Sequence, residues 1–492
     1  MFVLLVFIAA GLSYLYLKHV NGYWKRRNVP GPEPTLLFGN ISDVFWKKKS
    51  MGEIFYDIYR KYEDYPYVGV FRTVTPCLIA RDPDLIRDVT VKHFKCFEDN
   101  DVVVSSHANP VIGRNPFVLK GSEWKTARTR LTSSFTSGKM KTLFPLVNEN
   151  GKKMVKYFEK QLEGHKEFVC RTEFEKFTLE NVASCSVGLE AKAFEDEYTG
   201  FKYIANNFMI GSLAMLKSAF IFILPGLFQR FRIRVFNYDV EERTKGIVQE
   251  VAKYRAQNHI ERPDFLHQLQ QVGAKDASFT INDVAVGIAA IIMDGYDTSA
   301  NVFSYLAYEV ARHQDIQNRL REEIEETLNA NDNELTYDTM QEMKLLEASI
   351  LECLRLHPIF MSLAKTCVQP YTYETSETSV FKKMSVTIEP GTIVAIPYDG
   401  LHRDPRFFIQ PEEYRPDRFL NDEKNDLPKY VFMPFGEGPR SCLGQRFGVL
   451  QLKVGLVYLI RNFRVKLCPE SDVPLKVEPW HFVRAHLLVP LR

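Results

Sequence analysis

The feature that most constrains this chain is a long apolar helix predicted near its middle. Residues 281–312 read INDVAVGIAAIIMDGYDTSANVFSYLAYEVAR, with hydrophobic side chains on nearly every face of a helix. Thr280 followed by Asp283 matches a capping box at the start of this helix. A helix without a polar face must be covered by protein on all sides, so it predicts the interior of a large domain.

The same helix carries polar residues that indicate a functional site. Residues 294–299 (DGYDTS) interrupt the apolar sequence. A glycine in a helix interior costs about 1 kcal/mol, and buried carboxylates are costly unless they are paired. The Thr298 hydroxyl could donate a hydrogen bond to a carbonyl one turn earlier. A solvent-facing stripe with a satisfied aspartate is the alternative interpretation.

The rest of the body is predicted to be mainly helical. Helical periodicity marks five further segments, 124–136, 140–163, 172–188, 239–258 and 314–328. Strand-like patterns cluster at 67–80, at 370–398 and in the C-terminal tail. From residue 35 onward there is no repeat and no linker that would divide the chain. The sequence therefore predicts one large, mainly α domain, residues 35–492, with a small β lobe.

Composition excludes several classes of protein. The 63 Lys and Arg residues nearly balance the 61 Asp and Glu residues, so nucleic acid is not an expected partner. Eight cysteines in 492 residues, with no CxxC pair, form neither a disulfide framework nor a structural zinc site. We therefore expect reduced thiols in a cytosolic domain.

The N-terminus is predicted to be a membrane anchor. Residues 2–17 carry no charge, and basic residues follow at Lys18 and at 25–27. This order predicts an uncleaved transmembrane signal anchor, residues 1–20, with the rest of the chain in the cytosol; a cleaved signal peptide is the rival interpretation. Residues 21–34, basic and then rich in proline, are predicted to form a stiff hinge. A second apolar stretch, 219–228, fits either a membrane contact or the core.

One cysteine stands out by its surroundings. Residues 435–444 (FGEGPRSCLG) form a glycine-rich loop that presents Cys442 just before an apolar helix. Glycines let a backbone approach a flat object closely, and a helix N-terminus together with Arg440 would favour the thiolate. A thiolate without partner ligands suits a metal whose other positions come from a cofactor, as in haem iron.

The loop F-x-x-G-x-R-x-C-x-G resembles the haem-binding loop of the cytochrome P450 superfamily, and the resemblance covers nearly the whole chain. Glu352-Cys353-Leu354-Arg355 is similar to the E-x-x-R helix of the family, and Arg418 matches the third member of its buried triad. Residues 124–128 (WKTAR) resemble the W-x-x-x-R helix. Among relatives, the chain looks most like insect microsomal, xenobiotic-metabolising members.

The resemblance implies a haem b cofactor that lies between the long central helix and the cysteine loop. Cys442 would be the axial ligand of the iron, within a loop that includes Phe435, Gly436 and Gly444. The residues implied to bind the haem propionates are Trp124, Arg128, Lys365 and Arg440. Lys365 stands where many relatives have arginine, so the bidentate fork is lost there.

The implied activity is that of a monooxygenase. One atom of O2 enters a lipophilic substrate, while Asp297 and Thr298 form an acid–alcohol pair that delivers protons. Electrons come from NADPH through NADPH–cytochrome P450 reductase, with cytochrome b5 as a further candidate donor. Lys125 and Arg130 are candidate contacts for the reductase. The implied location is the endoplasmic reticulum membrane, with the catalytic domain facing the cytosol.

Three alternatives stay open at this point. A haem-thiolate isomerase or dehydratase would act on peroxides without a reductase. A non-catalytic haem protein would bind the cofactor without turnover, and a peripheral membrane scaffold would lack haem. The family usually has Ala or Gly at position 294, so Asp294 places an extra carboxylate near the pocket or against a neighbouring basic group.

Overall fold

A computed structural model describes residues 1–164, 168–195, 199–207, 226, 230–420, 426–469, 471–475 and 490–491. Seventeen α-helices have described bounds. They are α1 Phe2–Asn21, α2 Tyr23–Arg26, α3 Ser42–Phe45, α4 Met51–Lys61, α5 Pro83–Arg87, α6 Gly121–Thr132, α7 Ser137–Gly164, α8 Cys170–Val187, α9 Gly200–Asn207, α10 Tyr238–Asn258, α11 Phe265–Lys275, α12 Ile281–Arg312, α13 Gln314–Asn329, α14 Tyr337–Glu342, α15 Lys344–Leu356, α16 Tyr398–His402 and α17 Gln445–Asn462.

The strands form one main sheet and two small ones. Their bounds are β1 Tyr67–Arg72, β2 Thr75–Ala80, β3 Asp99–Asn100, β4 Phe168–Val169, β5 Leu363–Thr366, β6 Tyr371–Glu374, β7 Ser385–Ile388, β8 Ile393–Ile396 and β9 Pro490–Leu491. The main sheet has the order β1-β2-β8-β5-β3, with β2 and β8 parallel. The predicted mainly α fold with a small β lobe is confirmed.

Helix α12 occupies the centre of the molecule, as its sequence predicts. Of its 32 residues, 23 are buried, so no broad polar face is left. The predicted capping box between Thr280 and Asp283 is present. Helices α8, α10, α11, α15 and α17 pack around α12, and this arrangement fixes the position of residues 294–299 inside the protein.

The other predicted helices are also present, with some shifts at their ends. Helix α6 covers 121–132 instead of 124–136, because a 3-10 turn, Ser133–Phe135, follows it. The predicted strand region 67–80 is a hairpin of β1 and β2. The segment 219–228 lies outside the described residues apart from Gly226, and most of the C-terminal tail lies outside them as well.

The N-terminal helix is separate from this core. Helix α1 has no buried residue, and within the described ranges it alone is long and apolar enough to cross a membrane. The hinge that follows is attached to the body rather than free. The Trp24 indole donates a 2.8 Å hydrogen bond to the Val70 carbonyl, and Gly69 N donates a 2.8 Å bond to the Pro30 carbonyl. Part of the predicted hinge over 21–34 therefore packs against β1.

Candidate active site

The residues of the predicted triad meet in the interior. The Glu352 and Arg355 side chains have no exposed surface, and Glu352 accepts bonds from Arg355 Nε at 2.8 Å and Nη2 at 2.9 Å. Arg418 Nε reaches the same carboxylate at 3.0 Å. Arg355 also donates to three backbone carbonyls, those of His402, Pro411 and Glu413. The triad thus ties α15 to the segment that leads into the cysteine loop.

The cysteine loop depends on two glycines. Gly436 and Gly438 have φ angles of +69° and +74°, a region that other residues rarely adopt. An added Cβ at Gly438 would lie 2.0 Å from the Thr90 carbonyl oxygen. Cys442 N donates a 2.7 Å hydrogen bond to the Phe435 carbonyl, which closes the loop three residues before α17 begins.

Cys442 and Asp294 are both exposed side chains, and they lie close enough for the charge of Asp294 to act on the thiol. On α12, Met293 before Asp294 is buried and Gly295 after it is partly buried. Burial is nevertheless the largest influence on the pKa of each group, and the charge of Asp294 acts on Cys442. We infer that the two side chains line a common chamber, because each is exposed and yet shielded from bulk water by surrounding protein. The cysteine loop and the long helix therefore bound it from two sides.

The electrostatics of the thiol differ from the prediction. Burial raises the pKa of Cys442 to about 11, and the Asp294 charge acts in the same direction. The backbone N–H groups of Gly444 and Gln445 and the charge of Arg128 act the opposite way. Arg440 was the cation expected beside the thiol, but its guanidinium donates to the carbonyls of Glu98, Pro116 and Leu119. A metal ion bound at the sulfur would lower the pKa of this thiol further.

Four residues are expected to bind the haem propionates, namely Trp124, Arg128, Lys365 and Arg440. They form one cluster with three basic side chains. Arg440 stacks over the Trp124 ring at 4.2 Å, and its charge, after burial, helps to lower the pKa of Lys365 to about 7. Arg128 donates a 2.8 Å bond to the Ser441 carbonyl. In the described part of the chain the cluster has one ion pair, from Arg440 to Asp99 at 3.6 Å. Its excess of positive charge complements a cofactor that carries two carboxylates, and haem b is such a cofactor.

The predicted acid–alcohol pair on α12 points in two directions. The Thr298 hydroxyl donates a 2.6 Å bond to the Asp294 carbonyl, as the sequence predicts. The Asp297 carboxylate, 40% exposed, is paired with Arg171 of α8, and Asn301 Nδ2 lies 3.4 Å from it. Helix α12 runs without interruption through this turn.

Sequence reasoning missed two side chains that hold this turn. Asn115 Nδ2 donates a 2.9 Å bond to Asp294, and Arg171 binds Asp297. Both come from distant segments, and no local pattern identifies either of them. Of the two proposed reductase contacts, Lys125 is exposed, but Arg130 is already bonded to Asp276 at 2.8 Å and to Ser278.

An exposed cysteine in a glycine-rich loop, with a basic cluster beside it, is the arrangement that a haem-thiolate protein requires. The cytochrome P450 family model matches residues 29–490. The chain is 32% identical over 483 residues to cytochrome P450 6j1 of Blattella germanica, covering 98% of this chain and 95% of the relative. It is 34% identical over 488 residues to the probable cytochrome P450 6a13 of Drosophila melanogaster, covering 97% and 95%.

The chain therefore belongs to the cytochrome P450 family, whose members are oxidoreductases that act as monooxygenases. The family binds haem through a cysteine thiolate and uses O2 with electrons derived from NADPH. The predicted similarity to insect members is confirmed by these relatives and by cytochrome P450 6B2 of Helicoverpa armigera, 31% identical over 483 residues, with 96% of this chain and 93% of the relative covered.

Proposed function

We propose that this protein is a membrane-anchored monooxygenase that inserts one atom of O2 into lipophilic small molecules, either xenobiotics or endogenous lipophiles such as hormones. The observation that carries the proposal is that the exposed Cys442 thiol lies close enough to Asp294 of α12 for the charge of Asp294 to act on it. Haem, when bound, supplies the O2 chemistry that no side chain provides. Cys442 would be its ligand, and Trp124, Arg128, Lys365 and Arg440 would hold its carboxylates.

The protein's own side chains deliver protons at the Asp294–Thr298 turn of α12. Thr298 is held by the Asp294 carbonyl at 2.6 Å, so its oxygen has a fixed position and can pass a proton on. Asp297 is proposed as the carboxylate that supplies protons from the α8 side, where it meets Arg171. The neighbouring Glu175, whose pKa is raised by burial, lies in the same group of charges.

The expected substrate is lipophilic because the adjacent walls are aromatic. Phe117 stacks on Phe360 with ring centroids 6.0 Å apart, and both side chains are partly buried. The contact brings together one aromatic side chain from residues 100–118 and one from residues 359–363. Apolar walls favour apolar ligands and keep water from the reacting groups.

The proposed setting is the endoplasmic reticulum membrane, with the catalytic domain in the cytosol. Helix α1 is exposed along its length and is followed by basic residues, which supports an anchor with its C-terminal side in the cytosol. We assign NADPH–cytochrome P450 reductase as the electron donor, with cytochrome b5 as an additional one. Lys125 remains the candidate contact for the reductase.

Reconstitution tests this function. The full-length, haem-loaded protein is incubated with reductase, NADPH and a panel of lipophilic molecules, and product is measured per NADPH consumed. Asp297→Asn is expected to slow turnover about 100-fold, the usual scale for a lost acid–base group, and Thr298→Ala is expected to lower product per NADPH. Turnover of peroxides without NADPH would favour an isomerase, and haem binding without any turnover would favour a non-catalytic haem protein.

A further inference from the structure

The carboxylate of Asp294 differs from the other acidic side chains of α12. The helix carries four acidic residues. Three of them are ion-paired: Asp283 with Arg114, Asp297 with Arg171, and Glu309 with Arg312 and His357. Asp294 has no cationic partner among the described residues, and its charge acts on Cys442.

Asp294 is nevertheless held in a defined position. Asn115 Nδ2 donates a 2.9 Å hydrogen bond to Oδ2 of Asp294, while Asn115 Oδ1 accepts a 2.8 Å bond from Phe117 N. Asn115 is itself buried, with 5% of its surface exposed. The amide is thus fixed at both ends, and the second carboxylate oxygen, Oδ1, makes no hydrogen bond within the described ranges.

An interior carboxylate without a counter-ion raises the free energy of the protein. Burial raises the pKa of Asp294 to about 6, so most molecules still carry the charge at neutral pH. A cation bound in the chamber would remove this cost. The Phe117–Phe360 stack, two residues beyond Asn115, offers an apolar surface for the rest of such a ligand, and aromatic faces also attract cations.

We propose that Asp294 is a specificity-determining residue that selects lipophilic organic cations, such as protonated amines, as substrates. The inference rests on the proposed monooxygenase function, since it names a substrate class for the same chamber. Asn115 acts as a positioning residue, because it orients the carboxylate without facing the ligand itself. The aromatic walls bind the apolar body of the substrate, and the carboxylate binds its charged group.

A matched pair of probes separates charge from shape. The cation is N,N,N-trimethyl-(2-naphthyl)methylammonium, and the neutral isostere is 2-neopentylnaphthalene. The quaternary nitrogen has no lone pair, so it cannot coordinate iron, and it does not titrate. Dissociation constants are measured by absorption titration of the full-length, haem-loaded protein and of its Asp294→Asn and Asp294→Glu variants.

The quantity compared is the preference for the cation. It is the dissociation constant of the neutral isostere divided by that of the cation. We expect this preference to fall at least about tenfold in Asp294→Asn, the equivalent of one lost charge contact, and to be retained in Asp294→Glu. The neutral isostere is the internal reference in each variant, so a change in the shape of the chamber alone affects both probes and leaves their ratio unchanged. An equal preference in wild-type protein and Asp294→Asn would overturn the inference.

The wild-type protein provides a second test that needs no variant. Failure of the cation to bind at concentrations at which the neutral isostere saturates would overturn the inference, even if Asp294→Asn did not load haem. The two proposals fail separately. Turnover of neutral lipophiles without any preference for the cation would refute the substrate class alone, whereas an intact preference without turnover would refute the monooxygenase function alone.

Discussion

Removing the charge of the buried Glu352 carboxylate is expected to destabilise the fold. This carboxylate accepts four hydrogen bonds, two from Arg355, one from Arg418 Nε at 3.0 Å and one from Arg415 N at 2.9 Å. The Arg355 and Arg418 side chains are 0% and 2% exposed. Glu352→Gln removes the charge and leaves two buried cations without their counter-ion.

Breaking a buried ion pair by removing one partner costs roughly 3–5 kcal/mol. The lower end applies here, because Arg355 keeps its bonds to three backbone carbonyls. An unfolding entropy of about 2.1 cal/mol/K per residue gives about 1 kcal/mol/K for 492 residues. A loss of about 3 kcal/mol therefore lowers the unfolding temperature by about 3 °C.

A surface ion pair of the same chemistry serves as the matched control. Arg319 and Asp417 form two bonds, of 2.6 and 3.0 Å, but their side chains are 43% and 44% exposed. Asp417→Asn should cost less than about 1 kcal/mol because water screens the pair. Calorimetry of both variants at one scan rate checks the difference. Equal unfolding temperatures for Glu352→Gln and Asp417→Asn would refute the reasoning.

Three further predictions concern the loop, a buried histidine and the hinge. Gly438→Ala should prevent correct folding of the cysteine loop and lower haem content, because the new methyl group would meet a backbone carbonyl at 2.0 Å. Gly448→Ala is the control and should be tolerated, since there is open space around Gly448. The measurement is the amount of haem per protein. Burial and the Arg355 charge lower the pKa of His402 to about 3. Only the unfolded chain therefore takes up this proton as pH falls from 6.5 towards 3, and stability is lost by about 1.4 kcal/mol per pH unit. His402→Gln should flatten that slope in denaturant titrations, and an unchanged slope would contradict the assignment. Trp24→Ala should cost about 3–5 kcal/mol of stability, since Trp24 is 3% exposed, while Trp46→Ala, at 65% exposed, should cost little; equal losses would contradict the docking of the hinge.

The sequence predicts the fold best where a helical pattern extends over many residues. Helix α12 begins and ends at the predicted residues because a capping box and an unbroken apolar pattern mark it. The docking of the hinge was not predictable, since it depends on a distant strand. An added Cβ at Gly69 of β1 would lie 2.5 Å from the Trp24 ring, so the indole fits only because that position lacks a side chain.

The candidate site was also predictable only in part from the sequence. The motif identifies Cys442 because its glycines, arginine and cysteine are close in sequence. It does not identify the partners of Arg440, since these are carbonyls more than 300 residues earlier in the chain. The orientation of Asp297 towards Arg171 also depends on the packing of α8 against α12, which local spacing does not encode.

The central claim is that Cys442 is the thiolate ligand of a haem. The absorption spectrum of the dithionite-reduced protein, with and without carbon monoxide, tests it most directly in the wild type, in Cys442→Ala and in the control Cys96→Ala, whose thiol is only partly buried. We predict a strongly red-shifted Soret band in the wild type and in Cys96→Ala that is lost in Cys442→Ala. A red-shifted band that persists in Cys442→Ala, or a folded wild-type protein that binds haem without the shift, would contradict the account.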